Sequence, residues 1–376
     1  MPALALYIHW PYCLKRCPYC DYNAHVRENF SENKWLENIK ADFLHYRALS
    51  GTRELTSIFF GGGTPSLASG KMIGEALKAA NDCWPIANNC EITLEANPTS
   101  IENQKLRDFK AAGINRLSLG IQALNDPDLK FLGRSHSAAE AKEAVHLAGK
   151  IFERYSIDLI YARPGQQAAA WRQELAEALA LINGHISVYQ LSVEPQTAFA
   201  ATYARGDFAL PNEELATSLY EISAEILEKN NLPAYEISNH AAKGQECRHN
   251  LAYWRYQDYI GAGPGAHGRL TIGGVKHASE NPKLPEAWFE NRNLPLRALT
   301  PEERGEEMLL MGLRLQEGVP SFDFKKETGK ELVEFLPPQK LNDLIAHELL
   351  IYENGVLRAS AQGRRTLNSV LNYLLN

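Results

Sequence analysis

The sequence predicts an α/β fold built on a parallel β-sheet. Over roughly the first two hundred residues, six short runs rich in β-branched and aromatic residues alternate with longer helical patterns. The predicted strands are 4–9, 56–60, 91–96, 116–120, 156–161 and 187–193. The predicted helices between them are 31–49, 70–81, 101–112, 138–152 and 168–182. Such alternation forms right-handed βαβ units, which leaves open a doubly wound sheet or a barrel, partial or complete.

Local signals mark the ends of several elements. Ser31 is suited to cap the start of the first helix, and Gly113 to end the third. After about residue 200 the alternation stops, and a helix is predicted at 212–230, followed by a glycine-rich loop at 261–274. The glycines of 261–268 resemble a dinucleotide fingerprint, but no βαβ unit surrounds them. We interpret 261–268 as a tight loop that closes over the barrel mouth.

The C-terminal residues predict a small winged-helix-like module. Thr300, Pro301 and Glu303 form the pattern of a helix start. A helix, a hairpin with an Asn-Gly turn and a second helix follow at 339–349, 351–357 and 361–375. Only Arg364 and Arg365 provide a basic patch, so we predict no nucleic-acid binding.

Composition narrows the class of protein. Of the 376 residues, 45% are hydrophobic and 22% are charged, which is usual for a folded globular chain and not for a disordered one. The net charge of −6 provides no bulk positive field for nucleic acid. No run reaches the ~18 apolar residues of a membrane-spanning helix, and the N-terminus lacks a basic signal-peptide segment. We therefore predict a cytoplasmic protein.

Three of the six cysteines form the motif Cys13-x₃-Cys17-x₂-Cys20 directly after the first predicted strand. Thiolates at this spacing on a loop can converge on one metal centre. One interpretation is a zinc site completed by His9 or His25. The other is a [4Fe–4S] cluster with three protein ligands and one open iron. No second cysteine pair stands at zinc-finger spacing, which favours the cluster.

Further candidate residues follow the predicted strands. The glycines 61–63 come after the second strand, Glu95 ends the third, Gln122 follows the fourth and Asp158 lies in the fifth. The carboxyl ends of parallel strands meet at one edge of a sheet, so we expect these residues to surround one site. Each has a structural alternative, since three glycines often form only a turn.

The motifs together resemble those of the radical S-adenosylmethionine (SAM) superfamily. The cysteine motif, with Tyr19 before its last cysteine, is similar to the cluster motif of that superfamily, and Gly61-Gly-Gly-Thr-Pro65 is similar to its GGxTP segment. The resemblance to the coproporphyrinogen III oxidase-like branch extends over most of the chain, through 7–13, 95–98, 115–122, 132–134 and 158–161.

Within that branch, the chain resembles the heme chaperones more than the oxidases. The oxidases carry a fourth cysteine two positions after the third, where Tyr22 stands here, and an N-terminal extension before the motif, where twelve residues precede Cys13. His249-Asn-Leu-Ala-Tyr253-Trp254 is similar to the HNxxYW motif of the chaperones.

The resemblance implies three regions: a partial (β/α)6 TIM-type barrel at 1–210, a connecting α+β region at 211–298 and the winged-helix-like domain at 299–376. It implies that Cys13, Cys17 and Cys20 bind a [4Fe–4S] cluster whose fourth iron is open to SAM. The SAM contacts it implies are Tyr7, Tyr19, Gly62, Gly63, Thr64, Glu95, Gln122, Arg134 and Asp158.

The implied function is heme binding and transfer to heme-requiring respiratory proteins, with an electron donor for the cluster. His249, Tyr253 and Trp254 are the expected heme contacts, with Cys247 an alternative axial ligand. The alternatives are an oxygen-independent coproporphyrinogen III oxidase or another radical SAM enzyme. The sequence leaves open which client protein receives heme, whether the chain forms a homodimer and whether it contacts a membrane-bound client. It also leaves open the role of Arg163, which stands where relatives have Gly-Leu-Pro-Gly.

Overall fold

An 11-stranded mixed β-sheet organises the chain in the computed structural model, which describes residues 1–290 and 296–376. The strands of these residues are β1 (Ala3–Trp10), β2 (Tyr12–Cys13), β3 (His25–Val26), β4 (Glu54–Gly62), β5 (Ile86–Ala96), β6 (Arg116–Gln122), β7 (Arg154–Tyr161), β8 (His185–Gln190), β9 (Asn239–Ala241), β10 (Tyr259–Ala262), β11 (His267–Ile272), β12 (Val275–Glu280), β13 (Leu296–Ala298), β14 (Val319–Pro320), β15 (Leu350–Glu353) and β16 (Val356–Ala359).

Six consecutive strands of the sheet confirm the predicted parallel core. The order within the sheet is β13-β12-β11-β10-β1-β4-β5-β6-β7-β8-β9, and neighbouring strands from β1 to β8 in this order are parallel. The strand β10 pairs with β1 in parallel, whereas β9, β11, β12 and β13 pair with their neighbours in antiparallel orientation. The carboxyl ends of β1 and of β4–β8 therefore lie along one edge, as the prediction of a single site requires.

The helices lie between the strands, as the sequence predicts. Those of the described residues are α1 (Glu32–Ser50), α2 (Gly70–Cys83), α3 (Asn103–Ala112), α4 (Asp126–Phe131), α5 (Ala138–Ile151), α6 (Ala168–Leu179), α7 (Ala198–Ala204), α8 (Glu213–Lys229), α9 (Arg248–Trp254), α10 (Pro285–Glu290), α11 (Pro301–Gly312), α12 (Ser321–Thr328), α13 (Leu332–Phe335), α14 (Pro338–Ala346), α15 (Ala361–Arg365) and α16 (Leu367–Leu375).

Two predicted helix caps are confirmed. The Ser31 hydroxyl accepts a hydrogen bond from the Lys34 amide, and Gly113 ends α3 in the left-handed region at φ 114°. The indole of Trp35 on α1 then donates to the carbonyl of His9 at 3.2 Å. This bond fixes α1 to the end of β1, next to the cysteine motif. No helix among residues 1–290 and 296–376 has the length and apolarity needed to cross a membrane.

The glycine-rich segment 261–274 is mostly strand, so the prediction of a loop there is wrong. Gly261 lies in β10, and a Cβ added to it would come 2.0 Å from the carbonyl oxygen of His267. Gly261 and Gly268 allow β10 and β11 to approach closely, and the chain turns at 263–266 and again at 273–274. A glycine required for close backbone approach looks the same in sequence as a glycine required for a turn.

The C-terminal residues form a separate unit with its own apolar core. A three-stranded antiparallel sheet, in the order β14-β16-β15, packs with helices α11–α16. The predicted hairpin turn is confirmed, since Asn354 and Gly355 have φ values of 52° and 74°. The single helix expected at 361–375 is instead broken at Thr366 into α15 and α16.

The structure shows that Arg163, whose role the sequence left open, has a structural role. Its side chain is buried, 1% exposed, and pairs with the carboxylate of Glu174 on α6 and, at 3.1 Å, with Asp128 on α4. The Glu174 carboxylate also accepts a hydrogen bond from the Leu124 amide at 2.8 Å. Arg163 therefore faces neither the solvent nor the site and joins two helices behind the strand ends.

We expect Glu174→Gln to lower the free energy of unfolding by about 2–4 kcal/mol, because it leaves a buried guanidinium with only one carboxylate partner. Chemical denaturation measures this change. Glu177→Gln, on the same helix, removes an exposed pair with Lys142 and is the matched control, with an expected effect of ~0.5 kcal/mol or less. Equal effects of the two substitutions would contradict the importance of the buried pair.

Candidate functional site

A cavity of about 760 Å³ opens at the edge where the parallel strands end. Its walls contain all three motif cysteines and every predicted SAM contact: Tyr7, Tyr19, Gly62, Gly63, Thr64, Glu95, Gln122, Arg134 and Asp158. Of the predicted heme contacts, His249 and Tyr253 also line it, whereas Trp254 does not. The cluster and SAM residues thus share one cavity with His249 and Tyr253, whereas Trp254 and the alternative heme ligand Cys247 lie outside its wall.

The three cysteines lie on the loop that leaves β2. Cys13 is buried, Cys17 and Cys20 are partly exposed, and all three are free thiols. The loop folds back on itself, since the Cys20 amide donates to the Cys17 carbonyl at 3.1 Å. Burial raises the pKa of the Cys13 and Cys20 thiols. The loop therefore presents three sulfur atoms to the cavity.

Donors surround these sulfur atoms. The Thr64 hydroxyl lies 3.4 Å from the Sγ of Cys13, and Nη1 of Arg134 lies 3.5 Å from the Sγ of Cys17. The Arg134 guanidinium is itself fixed by a 2.6 Å hydrogen bond from Nη2 to the Gly120 carbonyl. Donors and a cation beside the thiols stabilise thiolates and a cluster of negative charge.

The donor set fits a [4Fe–4S] cluster better than a single zinc ion. Both ring nitrogens of His9 are engaged, with the Tyr7 hydroxyl at 3.0 Å and the Asn23 carbonyl at 2.9 Å. His25 contacts the Lys283 carbonyl at 3.3 Å. Within the described part of the chain, no three His, Cys, Asp or Glu side chains are grouped to hold one metal ion. Cys13, Cys17 and Cys20 would hold the cluster, which supplies an electron when bound.

The glycine segment at the end of β4 is held against β1 and β2. The Gly63 amide donates to the Trp10 carbonyl at 2.7 Å, and the Thr64 amide donates to the Tyr12 carbonyl at 2.9 Å. A Cβ at Gly63 would lie 2.6 Å from that Tyr12 oxygen, so a side chain does not fit. Gly62 has φ 109°, and its amide donates to the Glu95 carboxylate at 3.1 Å. Glycine is required here by packing, whatever the cavity binds.

Two carboxyl groups face each other across the cavity wall. Burial, reinforced by the Asp158 carboxylate, raises the pKa of Glu95 to about 8. Burial also raises the pKa of Asp158, opposed by hydrogen bonds from Ser187 and Ser118 and by the Arg116 charge. Near neutral pH Glu95 therefore holds a proton and can donate a hydrogen bond to a ligand.

An aromatic wall, which we define as Tyr7, Phe59, His249, Tyr253 and Tyr259, forms one side of the cavity. The His249 ring stacks on Phe59 with centroids 5.1 Å apart and meets Tyr253 edge-on at 4.7 Å. The rings of Tyr253 and Tyr259 are 4.3 Å apart. Flat rings of a ligand would find a matching apolar surface here.

Both nitrogens of His249 are hydrogen-bonded in this arrangement. Nδ1 lies 3.0 Å from the Ser57 hydroxyl, and Nε2 lies 2.7 Å from the Tyr253 hydroxyl. Burial lowers the pKa of His249 to about 3, so the imidazole is neutral. Coordination of a metal by His249 requires the release of one of these bonds.

Trp254 lies on the other side of α9, facing the C-terminal unit. The guanidinium of Arg314 stands over its ring at 5.6 Å. The neighbouring Arg255 pairs with Glu317 at 2.6 Å. Cys247, the residue directly before α9, is fully buried, and its Sγ lies 3.5 Å from a carboxylate oxygen of Glu91. The HNxxYW segment thus faces the cavity with two of its side chains and the C-terminal unit with a third.

Sequence reasoning missed several residues of the cavity wall. Arg116, Ser118, Ser187 and Tyr189 line the cavity, and Tyr22 projects into it from the cysteine loop. The first four lie at alternate positions of β6 and β8, and alternate side chains of a strand point to the same face. The two-residue period of side chains along these predicted strands could therefore have identified the four residues from the sequence.

Comparison with known proteins gives matches over the whole chain. The family model Radical SAM superfamily matches residues 7–178, and the HemN C-terminal domain matches 299–366. The chain is 36% identical to Radical S-adenosyl methionine domain-containing protein 1, mitochondrial, from Danio rerio, over 99% of this chain and 86% of the relative. It is 34% identical to the heme chaperone HemW of Escherichia coli (strain K12), over 100% and 99%.

Among solved structures, coproporphyrinogen III oxidase (HemN) from Escherichia coli matches with a TM-score of 0.83, over 99% of this chain and 90% of that one. The sequence identity is 21%, so this likeness concerns the fold. It supports the predicted radical SAM architecture.

We expect replacement of any one of Cys13, Cys17 or Cys20 by Ser to abolish the cluster, because serine does not provide a thiolate ligand. Iron and sulfide content and the brown absorbance of anaerobically reconstituted protein measure this. Cys83→Ser, at the end of α2 and outside the cavity wall, is the control and should retain about four irons per chain. Full iron content in the triple variant would contradict the assignment.

We expect Glu95→Gln to change how stability depends on pH. The folded-state pKa of about 8 exceeds the ordinary value of 4.5, so the folded protein holds this proton more tightly than the unfolded chain. The resulting stabilisation is complete below about pH 4.5 and is lost as the pH rises through 8. Between about pH 5 and pH 9, the free energy of unfolding should fall by on the order of 1–3 kcal/mol less in the variant than in the natural protein. Denaturation curves at both pH values test this, and parallel losses would contradict it.

Proposed function

Because the chain belongs to the radical SAM superfamily, in its coproporphyrinogen III oxidase-like branch, we propose that it is a heme chaperone. In this proposal it binds heme, a [4Fe–4S] cluster and SAM, and transfers heme to respiratory proteins. The cluster takes its electron from a separate donor protein. Full-length relatives named heme chaperone HemW, at 34–35% identity, support this proposal over other radical SAM functions.

One observation carries the proposal: the cysteine loop and the aromatic wall belong to the same cavity. Thr64 and Arg134 stand beside the sulfur atoms at one end, where a cluster and the methionyl end of SAM would lie. Tyr253 and His249 offer ring surface at the other end. A flat, largely apolar ligand with polar substituents suits that wall.

The position of Tyr22 supports a chaperone rather than an oxidase. Its side chain is 61% exposed and lies on the cavity wall, where the oxidases carry their fourth cysteine. A phenol cannot provide the thiol chemistry of that cysteine. In this proposal Tyr22 instead covers part of the bound ligands at the entrance.

Placement on the cavity wall supports the role proposed for each residue. Gly62, Gly63 and Thr64 lie beside the methionyl end of SAM, and the two glycines let the backbone approach it closely because they carry no Cβ. Arg134 and Gln122 contact its carboxylate and polar edge, and Glu95 and Asp158 contact the ribose hydroxyls. Tyr7 and Tyr19 pack beside them, and His249 gives heme an axial ligand once it leaves Ser57 or Tyr253.

We expect the full chain to bind one heme saturably, as followed by optical titration with iron protoporphyrin IX. His249→Ala should change the heme spectrum and weaken binding, and Tyr253→Ala should weaken binding several-fold through lost ring contact. Trp254→Ala is the matched control, since Trp254 lies one residue away but outside the cavity wall. It should leave heme affinity within about twofold.

Two outcomes would contradict the proposal. One is the absence of saturable heme binding, or heme binding that neither His249→Ala nor Tyr253→Ala alters. The other is formation of protoporphyrinogen when the reconstituted protein is supplied with SAM, a reductant and coproporphyrinogen, which would instead identify an oxidase.

A further inference from the structure

Arg116 is a buried cation that the roles assigned above do not use. It begins β6, and its side chain, 2% exposed, lies on the cavity wall at the end of that strand farther from the cysteine loop. Within the described ranges, its one side-chain hydrogen bond runs from Nη2 to the Ser156 hydroxyl at 3.1 Å. No carboxylate among residues 1–290 and 296–376 pairs with it within 4 Å. Most of its donors therefore remain available.

The nearby acidic groups have other partners. One Glu91 oxygen pairs with Arg154 at 2.7 Å, and the other accepts from the Arg248 amide at 2.9 Å. Asp158 accepts from the Ser118 hydroxyl at 3.3 Å. These carboxylates reduce the field of Arg116 from a distance but accept no hydrogen bond from its guanidinium, whose Nη2 donates to Ser156. A guanidinium buried in this state gains most from an anion that accepts two of its hydrogen bonds.

We propose that Arg116 forms a subsite for a carboxylate group of the ligand that fills the cavity. Its fork of donors matches a planar carboxylate in bidentate geometry. Ser118, Ser187 and Asn239 line the cavity too. Their side chains already donate to Asp158, Asn239 and Glu236, so the free donors of the subsite are those of Arg116. A doubly charged phosphate fits less well, because the Asp158 carboxylate lines the same cavity and repels a double charge more strongly than a single one.

The aromatic wall narrows the class of ligand further. His249 is hydrogen-bonded to Ser57 of β4, and Arg116 begins β6, two strands away in the sheet; both side chains line the cavity. A ligand held at both places is a flat ring system that carries a carboxylate on a short arm. Under the proposed heme function, on which this identification rests, the group is a propionate of heme, and Arg116 sets which edge of the porphyrin enters first.

The first experiment tests the subsite without heme. The full chain is titrated with 3-phenylpropionate and with its uncharged amide, and binding is followed by ligand-observed NMR. We expect the acid to bind at least about tenfold more tightly than the amide, and Arg116→Met to remove this preference. Arg116→Lys should retain part of it. Equal binding of acid and amide by the natural protein would overturn the subsite, and this comparison requires no variant to fold.

The second experiment tests the identity of the carboxylate. Iron protoporphyrin IX is compared with its dimethyl ester, in which both propionates are blocked. We expect the ester to bind about tenfold more weakly to the natural protein and the difference to shrink to about twofold in Arg116→Met. Arg248→Met removes an exposed arginine that contacts the Asn89 carbonyl and should leave the difference unchanged. If Arg116→Met keeps the full preference for the acid over the ester, the assignment of a heme propionate to Arg116 is overturned.

The two experiments separate the two hypotheses. If neither porphyrin binds, the heme function fails, while the phenylpropionate comparison still decides whether Arg116 binds a carboxylate. If heme binds and both comparisons show no preference for the acid, the heme function stands and the Arg116 subsite is wrong. Circular dichroism and thermal unfolding of each variant identify any loss of folded protein.

Discussion

Two backbone hydrogen bonds connect the parts of the site. The amides of Gly63 and Thr64, just after β4, donate to carbonyls of Trp10 and Tyr12, at the end of β1 and in β2. They place the glycine segment directly beside the loop that carries the cysteines. Because the two segments touch through backbone atoms, neither can move without the other, and a side chain at Gly63 would separate them. The remaining cavity wall is built outward from this junction by the later strands.

The buried region around the parallel strands is unusually rich in charge for a protein core. Glu91 joins β5 to Arg154 on β7 and also holds the start of α9 through the Arg248 amide. Arg163 joins α6 and α4 in a similar way, through Glu174 and Asp128. Each of these charges is buried with a partner, so its desolvation is offset. Arg116 and Glu95 differ, because they face the cavity, where a ligand can supply what the protein does not.

The short helix α9 connects the cavity with the C-terminal unit. Tyr253 contacts His249 on the cavity side, while Trp254 packs under Arg314 on the other. Beside it, Glu307 of α11 accepts from Arg269 of β11 and from the Tyr256 hydroxyl. The C-terminal unit is therefore attached to the same segment that forms the aromatic wall.

The sequence by itself determined the parallel strands, the cysteine motif and the set of residues at the strand ends, because these depend on local periodicity and short spacing. It also indicated the superfamily, since the motifs are specific. Only the tertiary structure decided the rest. Gly261 and Gly268 proved to serve strand contact, Arg163 to belong to a buried pair and Trp254 to face away from the cavity. These outcomes depend on residues distant in sequence, such as Glu174 and Arg314, and no local pattern contains that information. The same is true of Arg116, whose free donors can be recognised only when all its neighbours are in place.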